Sequence, residues 1–235
     1  PLDSSYSIFA THLINLPIHL QTLRSSIRKI NRYDLVINEL RKEQQHTTYK
    51  LLQNDGSNLP SIIDIMSINN PESWNRIVET MSIISPAIIS SRAEQLKGGK
   101  LYVTFDEIYK GRSIESWETS DGVLRSLSIL VAIESQIPNS VVLIEEPEIG
   151  LHPWAIPYLI SHIKEVIKLN GLQVVITTHS DVVLECVDRD DILVCSRNEN
   201  GTVFQKIKDI APLSDSNLKD IGRKWRKGLV GGVPT

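Results

Sequence analysis

An apolar strand that runs directly into carboxylates is the feature that most constrains this chain. Residues 141–144 read Val-Val-Leu-Ile, and Glu145 and Glu146 follow at once. The chain then passes through a turn and an amphipathic helix into a second apolar strand at 174–177. A helix between apolar, β-branched strands is typical of parallel strands that are covered on both faces. The sequence therefore predicts an α/β fold, with a mainly parallel sheet flanked by helices.

Helices are expected before this unit and a hairpin after it. Apolar residues recur at three and four positions from residue 11 to about 45, which predicts one or two amphipathic helices. A second helical block is expected over residues 60–84. Two strands that flank the turn at Asn198–Gly201 predict a final antiparallel hairpin. We expect a mostly helical arm or insert over residues 1–99 and a second lobe over residues 100–235.

The composition is that of a globular protein without a membrane anchor. The chain is 41% hydrophobic and 23% charged, with a formal net charge of −3. Any contact with nucleic acid must therefore come from a local basic patch. No apolar stretch approaches the roughly 18 residues of a membrane span. Cys186 and Cys195 are too few for a disulfide framework, so we expect reduced thiols and a cytoplasmic location.

The two carboxylates follow a strand at the place where parallel sheets bind ligands. Mg²⁺ takes one or two carboxylates and keeps several waters, and an adjacent carboxylate can polarise an attacking water in phosphoryl transfer. Glu145 and Glu146 could supply both roles, although strands also end in charged residues simply on leaving the core. His179 follows the second apolar strand. If the two strands are neighbours, His179 lies beside the carboxylates and can donate a hydrogen bond to a phosphoryl oxygen.

A third candidate feature is the start of the helix predicted from Gly122 to about Ser135. Ser120, Asp121, Gly122 and Val123 precede its apolar face. A helix start has free N–H groups and a positive dipole end, which attract anions, and Ser120 adds a hydroxyl donor. Simple N-capping is the more common reason for Ser or Asp at such a position. The residues alone leave both interpretations open.

Other polar residues carry weaker signals. His152 falls in the turn after the carboxylates and is a candidate contact with a partner subunit. His162 is expected on the solvent side of its helix. Residues 223–227 combine four basic side chains with Trp225. This composition is typical of a contact with nucleic acid or a partner nuclease, and equally of a solvated helix end.

In sequence order these features resemble the motifs of ATP-binding-cassette ATPases. Residues 120–123 resemble the signature loop, residues 141–146 Walker B, residues 147–152 the D-loop, and His179 the switch histidine. The variants Ser-Asp-Gly, Ile-Glu-Glu-Pro-Glu-Ile-Gly-Leu-His-Pro and Ile-Thr-Thr-His-Ser are most similar to soluble AAA-family ATPases. These ATPases are related to overcoming-lysogenization-defect nucleases and chromosome-maintenance ATPase heads. The resemblance is strong from residue 119 to about 191, and extends weakly through residues 55–59 and 225–234.

The resemblance implies a head that sandwiches two ATP molecules and Mg²⁺ against a second copy of itself. In that arrangement Glu146 is the catalytic base, His179 contacts the terminal phosphate in cis, and Glu145 holds Mg²⁺, through water. The residues implied in binding the partner's nucleotide are Ser120, Asp121, Gly122 and Val123. The residues implied in dimer contact are Glu148, Gly150 and His152. The resemblance further implies a homodimer or higher oligomer, DNA or an associated nuclease or effector as partner, no membrane, and a role in anti-phage defence or DNA repair.

One motif of such ATPases is missing from this sequence. A P-loop needs Gly-x-x-x-x-Gly-Lys followed by Ser or Thr, because backbone N–H groups and the Lys cradle the phosphates. None of the 12 glycines fits, and the only Gly-Lys pair, Gly99-Lys100, is followed by Leu101. Glu145 also stands where most cassettes have Asp. We therefore expect the C-terminal portion of an ATPase that is active in the intact protein and inactive as this fragment.

Three other functions stay open on the sequence. A transporter's nucleotide-binding subunit matches the motif variants less well. A metal-dependent nuclease could be built on Glu145, Glu146 and Glu148, because such sites recruit two metals through clustered acids. A non-catalytic regulatory or interaction module is compatible with half of an ATP site.

Overall fold

The computed structural model describes residues 29–108, 111–199, 201–210 and 218–228, which contain both helices and strands. The strands are β1 (Ile30–Tyr33), β2 (Gln44–Gln45), β3 (Ile88–Gln95), β4 (Lys100–Glu107), β5 (Ser113–Glu115), β6 (Val141–Glu145), β7 (Gln173–Thr177), β8 (Leu193–Asn198) and β9 (Gly201–Lys206). The α-helices are α1 (Ile37–Leu40), α2 (Leu59–Asn69), α3 (Pro71–Ile84), α4 (Asp121–Glu134), α5 (Ile156–Asn170), α6 (Asp181–Glu185) and α7 (Leu218–Arg226).

A three-stranded parallel sheet in the order β1-β6-β7 lies at the centre of the site-bearing part of the fold. The β6–β7 register pairs Val141 with Gln173 and Glu145 with Thr177. The polar residues that follow the two strands therefore leave the sheet at the same edge. This confirms the predicted α/β class, with a parallel sheet flanked by helices.

One face of the parallel sheet packs into the main core and the other does not. Val142 and Ile144 are buried in the same apolar cluster as residues of α4 and α5. On the opposite face, Ile30 is 48% exposed and Val175 is 54% exposed. The sequence predicted cover on both faces, because β-branched strands this apolar are usually enclosed. Within the described residues, the helices cover one face only.

The predicted helices around residues 60–84 and after the D-loop turn are confirmed. Pro60 and Pro71 lie in the first turns of α2 and α3, where a missing N–H is least costly. Helix α5 ends at Gly171, whose φ of 64° is left-handed and whose N–H is bonded to the carbonyl of Ile167. Glycine adopts that conformation without the steric cost of a Cβ.

The helical prediction for residues 11–45 is wrong in the part that the structure describes. Residues 11–28 lie outside the described residues. Residues 30–33 form β1, which pairs with β6, and only the four residues of α1 are helical before β2. The reason is tertiary: pairing with the buried strand β6 satisfies the backbone of this segment and overrides its helical spacing.

A second, antiparallel sheet was only partly predicted. Its order is β2-β4-β3, with β5 also paired to β4. Apolar and polar side chains alternate over residues 101–106, a pattern that predicts a strand, and these residues lie in β4, whereas no such pattern marks its partner β3. The turn between them contains Gly98 and Gly99, both with positive φ. The Gly99-Lys100 pair therefore lies in a hairpin and not at the start of a helix.

The C-terminal hairpin is confirmed as β8–β9, with Gly201 at the turn. Ile192, Ile207 and Ile221 form a small apolar cluster beside it, which joins the hairpin region to α7. Cys186 and Cys195 are both free thiols, as expected. Among the described residues, no helix is long and apolar enough to cross a membrane.

The main core draws on both halves of the chain. It includes residues of α2 and α3 together with residues of α4, β6 and α5. The division at residue 99 stays a prediction.

Candidate functional site

Two glutamates leave the end of β6 in different directions. Glu145 is the last residue of the strand and lies on its exposed face. The next residue, Glu146, has a φ of 43°, which is unusual for a residue with a Cβ, while its N–H is bonded to the carbonyl of Thr177. Such a conformation costs of order 1–3 kcal/mol and is concentrated at functional sites.

His179 lies next to Glu146, as expected if the two strands were neighbours. Its Nε2 is 3.5 Å from Glu146 Oε1, and its side chain is 77% exposed. The backbone pairing of β6 with β7 brings the two residues together, because each follows its strand by one or two positions. A carboxylate and an imidazole therefore face solvent side by side at the edge of the sheet.

Glu148 is directed toward the chain segment that carries His179. Its Oε1 accepts a 2.5 Å hydrogen bond from the hydroxyl of Thr178 and a 3.2 Å bond from the N–H of His179. Its Oε2 is buried without a protein partner. The carboxylate thus ties the turn after β6 to the end of β7. The dimer-contact role expected for Glu148, Gly150 and His152 stays a prediction.

The start of α4 is capped by Ser120 and held by hydrogen bonds from Arg41. The Ser120 hydroxyl accepts a 3.4 Å bond from the N–H of Val123, so Ser120 is the N-cap. Arg41 donates through Nη2 to the Thr119 carbonyl and to the Asp121 carboxylate, each at 2.7 Å. Ser120 remains exposed, and its O–H is still available as a donor. The capping interpretation is therefore correct and leaves the anion-binding interpretation open.

The start of α4 also contacts the turn that follows the glutamates. A Cβ added to Gly122 would lie 2.2 Å from the carbonyl oxygen of Gly150. Arg125 donates through Nη2 to the carbonyls of Glu145, at 3.0 Å, and Glu146, at 3.4 Å. The predicted signature loop, Walker B end and D-loop therefore form one contiguous surface.

The carboxylates at this surface have the chemistry that Mg²⁺ requires, which is hard, ionised oxygen. Glu145 is paired with Arg32 at 2.9 Å, but both side chains are more than half exposed. An ion pair that solvent screens this strongly contributes little, so its carboxylate can exchange one cation for another. Glu146 is adjacent and half-buried. Glu145 thus fits a magnesium ion that keeps most of its water, with Glu146 beside it.

The expectation for His162 is wrong. The residue is buried, at 4% exposure, and its Nδ1 lies 2.8 Å from the hydroxyl of Thr80. Its Nε2 is 3.2 Å from Glu134 Oε1, although off the line of a good hydrogen bond. Glu134 also receives two bonds from Arg76, at 2.8 and 2.7 Å. These polar partners allow a histidine to occupy the buried face of α5.

Sequence patterns did not reveal several residues that shape the site. Arg125, Arg41 and Thr178 make their contacts across long sequence separations, so no local pattern marks them. Trp225 stacks on the His179 ring, with centroids 6.3 Å apart and an angle of 13° between the planes. Only the cluster of basic residues around Trp225 gave a hint of function there.

Solved structures support the fold. The chain is similar to a chromosome-maintenance (Smc) head bound to the C-terminal winged-helix domain of ScpA, with a TM-score of 0.53 and 16% identity over 77% of this chain and 56% of that chain. It is also similar to the Smc head of Pyrococcus yayanosii with its coiled coil and joint, with a TM-score of 0.50 and 16% identity over 66% of this chain and 29% of that chain.

Sequence comparison adds one curated relative and a family. The Old nuclease of Escherichia phage P2 is 28% identical over 44% of this chain, and the match spans only 21% of the phage protein. Residues 9–185 match the family described as "AAA domain, putative AbiEii toxin, Type IV TA system". Because that match covers well over half of the sequence and includes the strand ends, the helix start and the histidine described above, the chain belongs to this family of AAA-type ATPase domains.

Proposed function

We propose that this chain is the hydrolytic, C-terminal portion of an ATPase that works as a head-to-head dimer. In the dimer, each head holds one ATP and covers the ATP of the other head with the start of its α4. Hydrolysis then separates the heads. ATP binding thus acts as a switch, because a ligand that bridges two subunits stabilises their complex until it is cleaved.

The juxtaposition of Glu146 and His179 carries this proposal. Glu146 is next to the strand end, half-buried and held in a strained conformation, so its carboxylate is a candidate base for the attacking water. His179 is close enough to share that water or to donate to a terminal phosphate oxygen. The pair combines a proton acceptor with a donor for developing negative charge.

The surrounding residues position this pair. Arg125 holds the carbonyls of Glu145 and Glu146 and so keeps the start of α4 against the strand end. Glu148 holds Thr178 and the backbone of His179. Bound Mg²⁺ would be held by Glu145 and would supply neutralisation of phosphate charge. The chain's own residues orient the water and the transferred group.

The part that grips the phosphates is proposed to come from polypeptide outside this sequence. The exposed apolar face of the parallel sheet supports this, because Ile30 and Val175 would be enclosed by additional structure in an intact head. This portion alone is then expected to hydrolyse little or no ATP. The chain spans about one fifth of the phage nuclease it matches, so the activity of the whole protein is part of the proposal.

A metal-dependent nuclease centre on the three glutamates is not favoured by their contacts. Glu145 pairs with Arg32, Glu146 with His179 and Glu148 with Thr178. Each of the three carboxylates therefore has a different side-chain partner of its own. No group of three or more metal-binding side chains occurs among the described residues.

The process driven by ATP is proposed to be DNA-related or defensive. The curated relative is named as a nuclease from a phage, and the family description names a toxin of a toxin–antitoxin system. Both support a partner nuclease or effector, or DNA, whose state the ATP switch controls.

Mixing two inactive variants of the intact protein tests the head-to-head arrangement. Glu146→Gln disables the base of one head, and Ser120→Arg blocks the helix start that covers the partner's nucleotide. A mixed dimer contains one site with both parts intact. Because random pairing puts about half of the molecules in mixed dimers, the mixture should recover about a quarter of the wild-type ATPase rate.

Each variant measured alone is the control for the mixture, and each should be inactive. If the mixture also remains inactive while both variants bind ATP and dimerise, the two parts act within one head and the proposed arrangement is wrong.

A further inference from the structure

We propose that Trp225, on the C-terminal helix α7, is a positioning residue for His179, and that α7 thereby connects the C-terminal end of the chain to the ATPase site. The effect that we expect on ATP hydrolysis rests on the proposed function. Its structural part, that Trp225 fixes the imidazole, can be tested without ATP.

The His179 side chain has little else to hold it. It projects from the end of β7 and is 77% exposed. Within the described residues, its ring has two side-chain partners, the Glu146 carboxylate at 3.5 Å on its edge and the Trp225 indole on its face. An exposed side chain with a single edge contact samples several rotamers, whereas a stacked aromatic face restricts them. Trp225 therefore selects the rotamer that keeps Nε2 beside Glu146.

Three further contacts hold α7 where it can do this. Ile221 is fully buried in the apolar cluster with Ile192 and Ile207, and Trp225 packs against the same cluster. Arg226 Nε lies 3.1 Å from the Asp181 carboxylate, in the first turn of α6. A Cβ added to Gly222 would lie 3.0 Å from the Cβ of Asp181, so the two helices approach closely at that point.

Because of these contacts, the position of His179 depends on the position of α7. Residues 178–180, which include His179, connect β7 to α6, and α6 is held against α7. A movement of α7 withdraws the indole from His179 without changing the sheet. A partner that binds the exposed basic residues at the end of α7, which are Arg223 in the helix and Lys227 just after it, is therefore placed to alter the rate of hydrolysis.

The structural part is tested by proton NMR of the nucleotide-free chain. Trp225→Leu keeps an apolar side chain for the cluster but removes the ring, and Trp225→Phe restores a smaller ring. His179→Gln assigns the His179 Hε1 resonance. We expect that resonance to move downfield in Trp225→Leu and to return part of the way in Trp225→Phe. Phe204→Leu, which removes an exposed aromatic ring on β9, should leave it unchanged.

The catalytic part is tested in the intact protein. Trp225→Leu should lower kcat about two- to tenfold, the effect of losing one aromatic pair, with an unchanged KM for ATP and rescue by Trp225→Phe. If Trp225→Leu does not fold, Arg226→Gln, which releases α7 from Asp181, serves the same test.

The outcomes separate the two proposals. An unchanged His179 resonance overturns the positioning role, as does a shifted resonance with unchanged kcat. A wild-type protein that hydrolyses no ATP contradicts the proposed function, while the NMR result still decides whether Trp225 stacks on the His179 ring, which the positioning role requires.

Discussion

Gly122 is the residue at which two predicted motifs touch through their backbones. Its φ is ordinary, so conformational freedom is not the reason for a glycine here. The reason is space, because the Gly150 carbonyl oxygen occupies the position a Cβ would take. The turn that follows β6 therefore packs directly on the first turn of α4. A displacement of either changes the position of the other.

Gly122→Ala is expected to destabilise the protein. Elsewhere in a helix this exchange stabilises by about 0.5–1 kcal/mol. Here a contact of 2.2 Å with a backbone atom must be relieved by shifting the turn. Overpacking of this kind costs about 1–3 kcal/mol, which lowers Tm by about 2–4 °C per kcal/mol in a chain of this size. Thermal unfolding monitored by circular dichroism measures this decrease in Tm.

Gly111→Ala provides the matched control, because a Cβ there meets no atom within 4 Å. That variant should show only the small cost of its left-handed φ, about 1 kcal/mol. A Gly122→Ala protein as stable as wild type would mean that the turn is not seated as described.

At the scale of elements, a buried ionic cluster joins three helices away from the site. Glu134 on α4 binds Arg76 on α3 and lies against His162 on α5. Burial acts to raise the pKa of Glu134, but its contacts with His162, Arg76 and Ser73 together hold that pKa below the usual 4.5. The charged form is therefore favoured by the fold.

This cluster predicts a specific acid dependence of stability. Because the folded pKa of Glu134 lies below its unfolded value, its contribution is fully present above about pH 4.5 and is lost as the pH falls through the folded pKa. Glu134→Gln should lower the free energy of unfolding at neutral pH by about 1–3 kcal/mol. The difference from wild type should shrink as the pH is lowered.

Denaturant unfolding between neutral pH and pH 3 measures this, with Glu79→Gln on the exposed side of α3 as the control. A Glu134→Gln variant that loses as much stability at pH 3 as at neutral pH would show that the carboxylate charge is not what joins the helices.

The sequence predicts the elements that a local pattern determines. It does not predict those that depend on pairing with a distant segment. Strands β6 and β7 each contain a run of apolar, mostly β-branched residues, at 141–144 and 174–176, so they were predictable. Strand β1 reads Ile-Asn-Arg-Tyr and exists because β6 offers it an edge. His162 shares the apolar stripe of Leu159, Ile163 and Val166, but its burial depends on Glu134 and Thr80, which are far away in sequence.

The same distinction applies to the candidate site. Glu145, Glu146 and His179 could be named because parallel strands end together at one edge. Arg125 and Trp225 could not, because their roles arise only from tertiary contacts.

At the scale of the whole molecule, the described residues leave one face of the parallel sheet exposed and form a contiguous polar surface at the sheet's edge, which is the proposed phosphate site. The proposed phosphate-binding half would cover the exposed sheet face and complete the site at the sheet's edge. The central claim is that Glu146 is the base of the completed site. It concerns a single carboxylate, because Glu145 and Glu148 have other partners.

The steady-state rate of ATP hydrolysis by the intact protein tests that claim most directly. Glu146→Gln should lower kcat by at least about a hundredfold, the usual size of a general-base contribution, while the protein still dimerises in ATP. Glu199→Gln, in the exposed hairpin turn, should match wild type. A Glu146→Gln protein that hydrolyses ATP at the wild-type rate would contradict the account.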